Sequence, residues 1–397
     1  MSFFNAAFRQ IPRSRNAARN GLVPVADAND ATLLQLVDID FLGPDAGLNF
    51  KTSNMRRWRR AKARVLSQTG RGRICCIGDS TTYGIGATDG VGRRVQAFPA
   101  MLARQLNASG VPCISQSLHN GRGTTFSTYD PTLTTGAGWS YSSIETLGGA
   151  LWGNSTTTNA LAWLPPVNVD TFEIYTPQNT GYGTTSWQIN AGGATNIVQN
   201  GASAFIKTNA TASLGSNTLN LARVSGQCYV AGVVAYDSAT SAVDIVNMGR
   251  GALTSTILND SVNPWSPVPA METYAPDVIL LTLGINDYST SIYGISIDTY
   301  RTNLNAILTA WTAIADVVVV IPAPSDATRA DLAQQEQYNN VTRDAVFQFD
   351  LPVIDMVSAW ESYVVSNGLG YMTDNVHPSR LGYADQGFLI AQSLLRI

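Results

Sequence analysis

Histidine is almost missing from this chain: His119 and His377 are its only two in 397 residues. Charge is also scarce. Asp, Glu, Lys and Arg make up 13% of the chain with a formal net charge of -3, which gives no overall reason to expect nucleic acid as a partner. Four cysteines in so long a chain argue against a disulfide framework. Cys75, Cys76, Cys113 and Cys228 form no paired CxxC pattern and have no histidine at metal-site spacing, so no metal site is expected of them. No stretch approaches the roughly 20 apolar residues of a membrane span. The opening MSFFNAAFRQIPRSRNAARNG lacks the continuous apolar core of a secretory signal, so the expectation is a soluble protein with no compartment indicated.

Apolar residues make up 45% of the chain, ample for a sizeable core, and the length exceeds what one ordinary core accommodates. The net charge hides an asymmetry. Residues 1–73 hold 13 of the 25 Lys and Arg and 5 of the 28 Asp and Glu, leaving the rest of the chain strongly acidic. Arg56, Arg57, Arg59, Arg60, Lys62 and Arg64 form the densest cluster. Such a run suits an anionic surface or polymer, but more simply a helix face that is solvated or meets the acidic body.

Four stretches differ in character. Residues 1–72 read as an arm followed by a helix near 53–67. From Arg73 the pattern is a short apolar strand ending at Gly78, then a helix over 98–110 with Phe98, Met101, Leu102 and Leu106 at helical spacing, then a strand candidate at 111–118. In RICCIG, Cys75 and Cys76 point to opposite faces of the strand. TFEIY, TSWQIN, SAFIKT, NTLNLARV and QCYVAGVVAY are short runs divided by turn-forming clusters, which implies an inserted antiparallel β-sandwich, jelly-roll-like, over 150–238. Residues 239–397 return to alternation: strands at 242–248, 277–284, 317–321 and 351–356, helices at 299–314, within 328–349 and at about 379–395. Apolar strands alternating with helices predict a parallel sheet covered on both faces, shared by 73–149 and 239–397. Active sites of such sheets lie at the carboxyl ends of the strands.

Three segments fall at those ends. Gly78-Asp79-Ser80 follows the first strand and presents a serine at a tight strand-to-helix connection. Gly284-Ile285-Asn286-Asp287 follows the most apolar strand, where an Asn amide can donate to a developing oxyanion or simply cap a turn. Asp374-Asn375-Val376-His377-Pro378 precedes the last helix. A general base near neutral pH is most readily a histidine, and an aspartate three residues before it can accept from Nδ1–H.

This ordered set resembles three blocks of the SGNH (GDSL-type) hydrolases, over about 73–118 and 242–395. The resemblance implies a three-layer, flavodoxin-like α/β fold and a cofactor-free serine esterase. Ser80 would be the nucleophile, Asp374 and His377 its acid and base, and the Ser80 N–H, a glycine N–H and Asn286 the oxyanion hole. Two segments compete to supply the glycine: 119–124, with Gly123, and 247–252, with Gly251. Gly251 is preferred because AVDIVNM reads as the better parallel strand.

The expected chemistry is attack on an acyl carbonyl, an acyl-enzyme on Ser80 and hydrolysis by water. The β-rich insert tilts the substrate toward acetylated glycan, with Trp152, Trp163, Tyr175, Tyr182 and Trp187 as sugar-stacking faces or, equally, as core. The alternatives are a lipase-like or short-chain esterase and, in another class, a glycan-binding structural protein of phage-tail type.

Overall fold

The computed structural model describes residues 22–26, 34–38, 47–87, 92–121 and 130–397. Most of the first half of the expected arm lies outside these residues. Leu22–Ala26 and Leu34–Asp38 pair as antiparallel strands.

The body is a seven-stranded sheet in the order Gly47–Leu48, Val353–Asp355, Asp316–Ile321, Val278–Thr282, Gly72–Gly78, Val243–Gly249, Cys113–Ile114. All neighbours are parallel except the Gly47–Leu48 edge, which runs antiparallel to Val353–Ile354. The expected alternation of strand faces holds. Ile74 and Cys76 lie in one apolar core with Trp58, Phe98, Leu102, Tyr383 and Phe388 from the helices Arg56–Leu66, Phe98–Ala108 and Arg380–Leu395. Cys75 and Ile77 lie in the opposite core with Met271, Leu304, Ile307, Trp311 and Val341 from Pro267–Tyr274, Ile297–Thr312 and Leu332–Gln348. The sheet is thus covered by helices on both faces. All four cysteines are buried free thiols.

The basic helix Arg56–Leu66 is no loose arm: Trp58, Ala61 and Val65 are buried against the body. Its cations have local uses. Arg57 donates to the carbonyls of Ala313 and Ile314, and Lys62 to that of Leu395. These carbonyls lie at the carboxyl ends of two helices, where positive charge offsets the negative end of the helix dipole. Arg64 pairs with Asp277.

Between the two halves of the parallel sheet the chain forms antiparallel sheets of five, four and three strands. They enclose a third core of Leu118, Leu133, Trp152, Trp163, Phe172, Ile174, Leu219 and Val233 among others. Pairing begins at Ser117–His119, well before residue 150, because Ser117–His119, Leu133–Thr135 and Ser140–Thr146 are too short or too polar to announce themselves as strands. The expected strand 111–118 is divided between two sheets: Cys113–Ile114 pairs with Val243–Asp244, and Ser117–His119 with Gly232–Val234.

Strand Val169–Gln178 is buried on both faces, with Phe172 and Ile174 in the antiparallel core and Tyr175 in a core of the body. Trp152, Trp163 and Tyr175 are each no more than 1% exposed, so they fill cores and offer no sugar-stacking face. Tyr182 and Trp187 remain partly accessible.

A polar network sits at this seam. Arg73 donates to Tyr175 Oη at 3.0 Å and approaches Glu173 Oε2 to 2.8 Å, while the Tyr175 hydroxyl donates to Glu173 at 2.6 Å. Asp244, Lys207 and Tyr236 complete it.

Candidate functional site

Strand Gly72–Gly78 runs directly through Asp79 into the short helix Ser80–Tyr83. Asp79 caps that helix: its Oδ1 accepts from the Thr81 N–H and hydroxyl, both at 2.8 Å. Burial pushes the Asp79 carboxyl up, against the pull of those hydrogen bonds and of nearby His377 and Arg329. Ser80 opens the helix, so its own N–H is one of the end donors a helix leaves without an intrahelical partner. The turn is tight enough to dictate the neighbouring strand. A Cβ at Gly249 would stand 2.0 Å from Tyr83 N, and Gly249 is the register partner of Gly78.

His377 reaches this serine from the loop before the last helix. Its Nε2 lies 2.9 Å from Ser80 Oγ and its Nδ1 2.8 Å from Asp374 Oδ2. A carboxylate only accepts, so Nδ1 carries the proton and Nε2 is left to accept from the serine hydroxyl. The other Asp374 oxygen accepts from the backbone N–H of Val376 at 2.9 Å and of His377 at 2.7 Å. The aspartate therefore folds the loop that carries its own partner. Burial would raise the Asp374 pKa, but the hydrogen bonds from His377 and Val376 outweigh it and hold the carboxyl below its ordinary value.

His119, the other histidine, is 3% exposed, with Nε2 3.0 Å from Tyr274 Oη. Burial pushes its pKa down to about 3, so it stays neutral.

Asn286 is buried at the end of strand Val278–Thr282. Its Nδ2 donates to the Leu253 carbonyl at 2.8 Å and its Oδ1 accepts from Arg329 Nη2 at 2.6 Å. One Nδ2 hydrogen remains for another acceptor. Its neighbour Asp287 accepts from the Ser255 N–H through both oxygens, and burial raises its pKa to about 6.

Gly251 lies just beyond strand Val243–Gly249 at the same edge as Ser80, and the Arg250 N–H between them donates to Gly78 O at 2.9 Å. The Gly251 N–H is engaged, donating to Gly121 O at 2.8 Å. The rival glycine, Gly123, lies outside the described residues. Arg250 braces the loop. Two of its nitrogens bind Glu145 and a third donates to the carbonyls of Gly251 at 2.7 Å and Ala252 at 2.9 Å. Ala252 is held at a φ of 57°, a conformation that costs a residue with a Cβ.

The structure thus brings together Ser80, Asp374 and His377, and places Asn286 and Gly251 at the ends of the strands on either side of the one that leads to Ser80. Sequence reasoning missed Arg329, Arg250 and Glu145. Arg250 adjoins the glycine motif and was within reach of inspection, whereas Arg329 and Glu145 stand in segments with no motif.

A profile of the GDSL-like lipase/acylhydrolase family matches residues 222–384, a span that contains Gly251, Asn286, Asp374 and His377 and begins after Ser80. Among solved structures, a peptidoglycan O-acetylesterase aligns over 88% of this chain and 98% of its own, with a TM-score of 0.65 at 15% identity, a likeness of fold. A lipase/acylhydrolase from Enterococcus faecalis aligns over 38% of this chain and 74% of its own, at 24% identity and a TM-score of 0.32. An acetylxylan esterase from Geobacillus stearothermophilus covers 38% and 73%, at 16% identity and a TM-score of 0.31. No curated protein matches the chain in sequence. Residues 222–384 thus carry the sequence pattern of the GDSL-like lipase/acylhydrolase family. Among the described residues no helix is long and apolar enough to cross a membrane.

Proposed function

We propose that this protein removes O-acetyl groups from carbohydrate through an acetyl-enzyme on Ser80. The observation that carries the reading is the unbroken run of hydrogen bonds from Asp374 through His377 to Ser80 at the carboxyl edge of the sheet. Ser80 Oγ attacks the acetyl carbonyl as His377 Nε2 takes its proton. The carbonyl oxygen becomes an oxyanion, held by the Ser80 N–H, the Asn286 amide and the Gly251 N–H once that N–H exchanges the Gly121 carbonyl for the oxyanion. The intermediate collapses, and the sugar hydroxyl leaves with the proton from His377. Water then attacks the acetyl-enzyme by the same route in reverse and releases acetate. Asp374 stays ionised throughout, fixing the tautomer and stabilising the imidazolium.

The carbohydrate half of the proposal draws on the antiparallel strands, which we read as one inserted sandwich over 117–236. The alignment with the peptidoglycan O-acetylesterase extends over 88% of this chain, more than the body alone supplies. A wall of β-structure beside the cleft would hold a polymer while the body cleaves one ester.

Ser80→Ala should fold normally and lose more than about 10³-fold in esterase activity, and the wild type should be labelled by a fluorophosphonate. Residual activity within about tenfold would remove Ser80 from the mechanism. Acetylated glycans assayed beside p-nitrophenyl esters of rising chain length test the substrate. Faster turnover of longer acyl chains would favour the lipase-like alternative.

A further inference from the structure

We propose that Arg329 is a positioning residue for the oxyanion hole: it fixes which end of the Asn286 carboxamide looks into the cleft and strengthens the N–H bond offered there. The inference rests on the reading of Asn286 as an oxyanion donor. A carboxamide has two orientations of nearly the same shape, half a turn apart about χ2. Only one aims its NH2 at developing negative charge; the other presents an oxygen and repels it.

Two contacts make the choice. A guanidinium has only donors, so Arg329 Nη2 at 2.6 Å accepts no partner but Oδ1. A backbone carbonyl only accepts, so Leu253 O at 2.8 Å demands Nδ2. A flip would lose both bonds and set NH2 against guanidinium and oxygen against oxygen. Leu253 alone would make the preference worth one neutral hydrogen bond, whereas the bond from Arg329 is charge-assisted and roughly twice as strong. The cation also draws electron density toward Oδ1, which makes the remaining Nδ2–H a better donor to the oxyanion.

The placement of Arg329 fits this use. Arg64, Arg71, Arg73, Arg94, Arg250 and Arg343 each have a carboxylate partner. Among the described residues no carboxylate comes within ion-pair distance of Arg329. Its guanidinium carbon lies 5.6 Å from the Tyr293 ring centre, and its backbone carbonyl accepts from Ser289 Oγ at 3.1 Å. Both supports come from the stretch just after Asn286, so Arg329 and the carboxamide are held to one short piece of chain. Loop anchoring alone would be served by the ring and the backbone bond; the guanidinium on Oδ1 adds something that kinetics can separate.

The test is a double-mutant cycle of Arg329→Met and Asn286→Ala, with Arg329→Lys as the conservative variant, measured by p-nitrophenyl acetate turnover and by fluorophosphonate inactivation. Arg329→Met should lower kcat about 10- to 100-fold, the range for hydrogen bonds to charged groups, with KM changed less than about threefold. Inactivation should slow in proportion, because the tetrahedral phosphonyl oxygen occupies the same hole, and Arg329→Lys should recover part of the loss. In the Asn286→Ala background, Arg329→Met should cost less than about twofold, since it acts through a group no longer there. An additive loss, a loss confined to KM, or no loss in the wild-type background would overturn the role of Arg329 while leaving Asn286 in place. A harmless Asn286→Ala would instead remove the oxyanion reading, and Arg329 with it.

Discussion

At the carboxyl edge of the parallel sheet, His377 stands between Asp374 and Ser80 with its side chain 16% exposed. At the seam with the antiparallel strands, His119 lies shut in beside Tyr274, close to a network of Arg73, Glu173, Asp244 and Tyr175. The same kinds of residue occupy both regions, and solvent decides what each can do. At the edge a histidine can exchange a proton with a substrate and return it. At the seam burial forbids the charged imidazole, while Glu173 stays ionised because Arg73, Tyr175 and Lys207 together outweigh the burial that would raise its pKa. On the proposed reading the edge serves chemistry, while the seam serves cohesion.

The sharpest way to separate the two is Asp374→Asn against a change at the seam. An asparagine keeps the shape but favours the wrong imidazole tautomer, so kcat/KM should fall by about 10³–10⁴. Because Asp374 is half-exposed, the unfolding midpoint should scarcely move, and a large drop in midpoint would show that the edge is structural after all. Arg73→Met should do the reverse. It leaves Glu173 and Asp244 buried beside a missing cation, a loss of about 3–5 kcal/mol in urea unfolding, with activity per folded molecule little changed. Equal stability of this variant and wild type would mean the network contributes nothing net.

The smallest effect belongs to His119→Gln. Its folded-state pKa, about 3, is depressed from the ordinary 6.5. Between those values the unfolded chain binds a proton that the folded chain refuses, so His119 lowers stability progressively as pH falls below about 6.5. Glu173 works in the same direction: its depressed pKa contributes stability above the unfolded value that is lost on acidification. The gap in Tm between wild type and His119→Gln should therefore shift against the wild type by about 1–2 °C per pH unit from pH 6.5 to 4.5. A gap independent of pH would show that His119 is solvated. Activity of the variant should match wild type at neutral pH, since only His377 touches the serine.

The edge was far more legible in the sequence than the seam. Gly78-Asp79-Ser80, Asn286 and Asp374–His377 are local motifs next to strongly apolar strands, and local order is what a sequence displays. The body strands and helices lie close to their expected bounds for the same reason. The seam depends on contacts between distant segments: nothing near Glu173 points to Arg73, and nothing near Arg329 points to Asn286. The aromatics misled because Trp152, Trp163 and Tyr175 are as suitable for a core as for a sugar, and only the packing of the sheets decides. Among the early antiparallel strands, SYSSIET is hidden because its polar residues form a strand by pairing with Gly149–Asn154 more than by their own preference.

The pairing of Gly72–Gly78 with Val243–Gly249 has a kinetic consequence. These two strands, which frame the serine, are neighbours in the sheet but have the whole antiparallel region between them in the chain. Closing so long a loop forfeits chain entropy before the contact repays it, and folds rich in such distant pairings form slowly. The antiparallel sheets pair largely within themselves, so they can form first and bring their two ends together at Ser117–His119 and Gly232–Tyr236. That collapse shortens the effective loop to the 38 residues between Gly78 and Ser117 and the six between Tyr236 and Val243, and the central pair of the body can then zip. Assembly of the edge that carries Ser80 would thus be the late event in refolding, with return of the proposed esterase activity trailing burial of the antiparallel core.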